Sequence, residues 1–126
     1  MQDAVRRALG RGHVIDITTT GRKSGRPRRI EIVFHNIDGR IYITGRPDPR
    51  RSRDWLLNLG ADSRMTIHLK GAVSADVPAR ARVVTDPEER QQVFDWVVQH
   101  AWRSMDVEAM QAWSPLIEVE PEGIAA

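Results

Sequence analysis

The chain has 126 residues, 40% hydrophobic and 29% charged, which suits one domain with a modest core and argues against long disorder. It contains no cysteine, which excludes disulfides, thiolate metal sites and a cysteine nucleophile. Net charge is only +2, yet all but two of the 19 basic residues are arginine, and they gather at Arg22–Arg29 and Arg46–Arg53.

Residues 1–12 predict a short helix or arm, with Val5 and Leu9 apolar and Gly10 or Gly12 as its stop. From His13 the pattern becomes β-branched, with Ile15, Ile17 and Thr19 alternating against Val14, Asp16 and Thr18. Gly21 to Pro27 reads as a turn, and a second strand follows with Ile30, Ile32 and Phe34 on one face. Asn36–Gly39 is a tight connection into a third strand, Arg40–Thr44, giving a three-stranded antiparallel meander. Asp48-Pro49 reads as an N-cap and first helical residue, ahead of the apolar Trp55, Leu56 and Leu59 and a stop at Gly60.

Two strands follow. Met65, Ile67 and Leu69 share one face of the first, and Val77, Ala79, Ala81 and Val83 turn inward on the second. Asp86-Pro87-Glu88-Glu89 starts a helix carrying Val93, Phe94, Val97 and Ala101. A short helix over Val107–Trp113 and a last strand, Leu116–Val119, complete the order β-β-β-α-β-β-α-α-β. Consecutive short strands argue against a doubly wound sheet and for a small closed or partly closed barrel, one domain over residues 1–126. No apolar run approaches the roughly 18–20 residues that span a bilayer, and the first residues lack a signal peptide's apolar core. A cytoplasmic location is therefore expected.

The short motifs exclude more than they assign. In "GRKSG" the serine, Ser24, stands one place too late for a nucleophile elbow, and no Walker loop is present. His13, His35, His68 and His100 show no paired ligand spacing, so no metal is expected. "SGRPRR" carries a Gly-Arg-Pro core that can enter a minor groove, but it lies between patterned strands, and nucleic acid is not expected as a partner. A plain solvated turn is the bland alternative. The reading that uses both basic clusters places Arg22, Lys23, Arg26 and Arg28 at one end of the first hairpin. Strand three leaves at that same end through Gly45-Arg46, with Arg50, Arg51 and Arg53 following. Converging arginines beside helix amides make a site for phosphate or carboxylate.

"TTTGRKSGRPR" (Thr18–Arg28) together with "DWLLNL" (Asp54–Leu59) resembles the deazaflavin-dependent nitroreductase family of split β-barrel flavin and deazaflavin oxidoreductases. The likeness is strong over His13–Leu69. It implies a six-stranded antiparallel split barrel with peripheral helices, mainly β (α+β), and a bound deazaflavin, coenzyme F420, with FMN or haem as alternatives in such barrels. By position, Arg22, Lys23, Ser24 and Arg28 would hold the phosphate and acidic tail. Thr44 and Gly45 would lie near the ring, and Arg46 stands where the family commonly has lysine. Trp55 and Asn58 match a Trp-x-x-Asn on the helix, with Asp54 beside them, although Trp55 reads equally as a core anchor and Asn58 as a bridge between backbone groups.

The implied activity is hydride transfer from reduced F420 to a small-molecule quinone, enone or nitro acceptor, with the cofactor supplying the chemistry. No catalytic side chain is assigned. Turnover-free binding of a planar ligand is the different-class alternative. A homodimer is compatible with Trp102 and Trp113 if both are exposed. Two departures from the family stand out. Glu31 occupies an expected apolar or proline position, and "VEAMQAWSP" has no tyrosine, leaving Met110 and Trp113 as pocket or core residues. Tyr42, the one tyrosine, could donate a proton.

Overall fold

The computed structural model describes residues 2–123. Strands β1 (Val14–Thr20), β2 (Pro27–Ile37) and β3 (Arg40–Thr44) form the meander, and β4 (Arg64–Lys70), β5 (Ser74–Val83) and β6 (Leu116–Pro121) complete the sheet. All neighbours are antiparallel, and the order β1-β2-β3-β6-β5-β4 closes on itself, because β4 returns to pair with β1. This is the split-barrel fold that the resemblance implies. Closure removes exposed sheet edges, so every strand has two partners.

Period-two alternation decides what fills the barrel. Ile15 and Ile17 from β1, Phe34 from β2, Ile43 from β3, Ile67 from β4 and Ile117 from β6 are all essentially inaccessible. Full burial of such side chains stabilises by about 1.5–3 kcal/mol each. Helix α1 (Gln2–Leu9) contributes Val5 and Leu9 to this core, and α2 (Asp54–Ala61) contributes Leu59. Trp55 packs against the same core, half-buried.

A second core lies outside the barrel wall. Helices α3 (Pro87–His100) and α4 (Val107–Trp113) pack Val93, Phe94, Val97 and Met110 against Tyr42, Val84 and Leu116. The stretch Ile41–Thr44 of β3 is consequently buried on both faces. Asp86 caps α3 as expected, its carboxylate accepting from Glu89 N at 3.0 Å, with Pro87 in the first turn.

Three expectations need correction. Asp48-Pro49 does not start a helix. Asp48 accepts from Arg50 N through its side chain at 3.0 Å and from Arg51 N through its carbonyl at 3.3 Å, making an isolated turn, and α2 begins at Asp54 after Arg53. Ala101 ends α3 as an exposed cap rather than continuing its apolar face. Trp102 is half-buried against the second core, edge-on to His35 at 5.3 Å, whereas Trp113 is 53% exposed.

Candidate functional site

The β1–β2 turn is built by its own backbone. Gly21 N donates to Arg26 O at 2.8 Å, Gly25 N donates to Gly21 O at 2.8 Å, and the Ser24 hydroxyl accepts from Arg26 N at 3.1 Å. Gly25 sits at φ 71°, a left-handed conformation that glycine adopts without penalty. This closed turn projects Lys23, Arg26 and Arg28 into solvent.

Asn58 ties the turn to α2. It is buried, and its Oδ1 accepts from both the backbone N (3.1 Å) and Nη1 (3.0 Å) of Arg22, while its Nδ2 donates to the Thr19 hydroxyl at 3.3 Å. The Arg22 guanidinium also reaches Asp54 Oδ1 at 3.4 Å, an exposed and therefore weak pair. The Arg22 guanidinium thus has internal partners, unlike the charged groups of Lys23, Arg26 and Arg28. An open cleft of about 180 Å³ lies between turn and helix, lined by Gly21, Arg22, Lys23, Ser24, Arg28, Asp54 and Asn58.

On the other side of α2's first turn lies the β3 exit. The Arg53 guanidinium lies against Gly45, where a Cβ would stand 2.9 Å from its Cζ, and it donates to Arg46 O at 2.6 Å. Burial, and then the Arg51 charge, push its pKa down from the usual arginine value. The Thr44 hydroxyl is buried and donates to Pro115 O, and the Ser114 hydroxyl donates to Gly45 O at 2.7 Å. These bonds hold the β3 exit against the α4–β6 connection. A second cleft, about 220 Å³, opens there among Asp48, Arg51, Arg53, Leu56, Trp113 and Ser114.

The two clefts flank the start of α2: Asp54 and Asn58 line one, with Arg22, Lys23 and Arg28, and Leu56 lines the other, with Arg51 and the N-cap residue Arg53. Along the barrel wall, Arg29, Arg40, Arg64, Lys70, Arg80 and Arg82 each face a carboxylate. Among the described residues, the side chains of Lys23, Arg26, Arg28, Arg46, Arg50 and Arg51 have no such partner. A corner of uncompensated cations beside clefts can take an anionic ligand.

Two sequence concerns resolve physically. Glu31 is ion-paired with Lys70, which also holds Asp16 at 2.6 Å, so its charge is compensated on the outer wall. Tyr42 is buried under α3, its hydroxyl donating to Glu89 Oε2 at 3.0 Å; burial and then that bond push its pKa up to about 12. It lines neither cleft. Met110 is wholly buried in the second core, while Trp113 lines the cleft at the β3 exit. Sequence reasoning did not find Ser114 or the internal partners of Arg22, since nothing in local spacing marks them.

A solved F420-H2 dependent reductase, FDR-A, is 21% identical, with a TM-score of 0.63 over 85% of this chain and 93% of its own. The conserved hypothetical protein Rv2991 from Mycobacterium tuberculosis is 16% identical, with a TM-score of 0.69 over 97% and 81%. HutZ, the haem storage protein from Vibrio cholerae, is 16% identical, with a TM-score of 0.65 over 95% and 87%. These likenesses show the shared fold. Among the described residues, no helix is long and apolar enough to cross a membrane. The family described as F420H(2)-dependent quinone reductase matches residues 2–119, nearly the whole chain, and this oxidoreductase family is the one to which the chain belongs.

Proposed function

We propose that the chain binds coenzyme F420 by its anionic handle at the basic corner and uses it to reduce a quinone, enone or nitro acceptor. The observation that carries this reading is the set of unpartnered cations around the cleft between the β1–β2 turn and α2. At about 180 Å³ that cleft is too small for a whole cofactor, whose sites run to roughly 300–1,000 Å³, and suits a phosphate or carboxylate. Lys23 and Arg28 are the free ligands there. Arg22 supports the reading through position: the bond to buried Asn58 orients its guanidinium before any ligand arrives, so less side-chain entropy remains to be lost.

When bound and reduced, the deazaflavin supplies a hydride to the acceptor. Trp113, exposed beside Arg51 and Arg53, offers an apolar face with adjacent cations for an electron-poor ring. Tyr42 does not serve as acid, because its proton is held against Glu89 and its phenol is the weaker acid for it. Protons for the reduced acceptor come from water at these open clefts. A homodimer placing Trp113 at the subunit interface is compatible with its exposure.

A fluorescence titration tests the clamp. Lys23→Ala with Arg28→Ala is expected to weaken F420 binding at least about tenfold, as loss of two charge-assisted bonds of about 1.5–3 kcal/mol implies. Unchanged affinity would overturn it. Turnover with reduced F420 and menadione supports the enzyme, whereas tight binding without oxidation across quinones and nitro compounds makes the protein a carrier.

A further inference from the structure

Away from the basic corner, three strands bring a hydroxyl, an imidazole and a carboxylate into line on the barrel's outer face. Thr18 on β1 lies 2.6 Å, Oγ1 to Nε2, from His68 on β4, and His68 Nδ1 lies 2.7 Å from Asp76 Oδ1 on β5. An ionised carboxylate only accepts, so Asp76 fixes a hydrogen on Nδ1, and in the neutral imidazole Nε2 is then the acceptor for the Thr18 hydroxyl. His68 is only 8% exposed and cannot swing freely, while Thr18 lines an open groove of about 410 Å³ with Thr20, Thr66, Pro78, Arg64 and Arg80. Hydroxyl, base and orienting carboxylate at these distances are the arrangement that activates an alcohol as a nucleophile.

The backbone cannot complete such a site, because β1 is paired on both sides and its amides are taken. A side chain can. Arg29 is the registered partner of Thr18 across β1–β2, bonded through Nε to Asp16 at 2.9 Å, with its other guanidinium nitrogens free. Its charge reaches this cluster: the His68 hydrogen bond and then the His68 charge hold the Asp76 carboxyl below the usual range, and Arg29 adds a smaller pull in the same direction.

We propose that Thr18, His68 and Asp76, with the positive charge of the cross-strand neighbour Arg29 offsetting the developing oxyanion, hydrolyse small activated carboxylic esters without any coenzyme. Thr18 Oγ1 attacks the ester carbonyl carbon and its proton passes to His68 Nε2. The carbon–oxygen bond to the leaving group breaks, and the departing alkoxide or phenoxide takes that proton, leaving acyl-Thr18. Water then attacks the acyl carbon, gives a proton to His68, and the carboxylic acid leaves as the proton returns to Thr18.

The test uses the purified full chain and p-nitrophenyl acetate with no F420 present. Nitrophenolate release is expected to be about 100-fold faster for the wild type than for Thr18→Val, the scale of a positioned general base. Peptide mapping of the quenched reaction should find the acetyl group on Thr18. Asp76→Asn, at an exposed position outside the core, should also slow release while leaving the thermal melt unchanged. Equal rates for wild type and Asp76→Asn, or an acetyl group found only on other residues, would overturn the proposal. In that case the three residues are a cross-strand polar ladder. Neither outcome bears on F420 binding, which has its own titration.

Discussion

Truncating Asn58 to alanine removes the buried side chain that joins the β1–β2 turn to α2. Three hydrogen bonds go with it: two from Arg22 to Oδ1 at 3.0 and 3.1 Å, and one from Nδ2 to Thr19 at 3.3 Å. The Arg22 groups can turn to water, so each of those bonds is worth about 0.5–1.5 kcal/mol. The Thr19 hydroxyl is 2% exposed and is left without that partner, at about 1–3 kcal/mol. The expected loss is about 2–6 kcal/mol, read in urea unfolding as a lower midpoint at unchanged slope. Arg22→Ala should cost clearly less, because it leaves the backbone amide and Thr19 bonds in place. F420 affinity should fall in Asn58→Ala through disorder of the turn, although Asn58 need not touch the ligand. A loss below about 0.5 kcal/mol with an unchanged slope would refute the assignment of Asn58 as the bridge between turn and helix.

Acid should unfold the protein partly through Glu118, where burial raises the pKa but hydrogen bonds from Arg40 and Arg82 outweigh it, leaving it below the ordinary 4.5. The stabilisation is complete above pH 4.5 and is lost as pH falls below it, so Glu118→Gln should flatten the pH dependence of the melt there. His35 acts at higher pH. It is 4% exposed between Trp96 and Trp102 with Nε2 unpartnered, and burial lowers its pKa from 6.5, so stability holds above 6.5 and falls below it. His35→Phe should remove that slope in differential scanning fluorimetry. Arg90→Met should cost about 3 kcal/mol in chemical denaturation, because its guanidinium donates to the carbonyls of Val84, Met110, Gln111 and Ser114 and so joins α3 to the α4–β6 connection.

The sequence by itself determined the strands, the meander and the α3 cap, because alternation and capping act over two to four residues. Ile15, Ile17 and Thr19 turn inward whatever lies beyond them, and Asp86 finds Glu89 N within its own turn. The paired motifs at Thr18–Arg28 and Asp54–Leu59 likewise pointed to the family. The start of α2 was different. Asp48-Pro49 has the local chemistry of a cap, but Arg53 lies against Gly45 and bonds Arg46 O, holding the intervening chain as a turn. Only the tertiary structure decided which cations are free: Lys23 and Arg28 are, whereas Arg22 is held by residues more than thirty positions away. It likewise buried Tyr42 against Glu89 and half-covered Trp102. It also aligned Thr18, His68 and Asp76 from three strands. A residue's periodicity is a property of its neighbours in the chain, while its partner is chosen by barrel closure, which brings together residues that no local pattern relates.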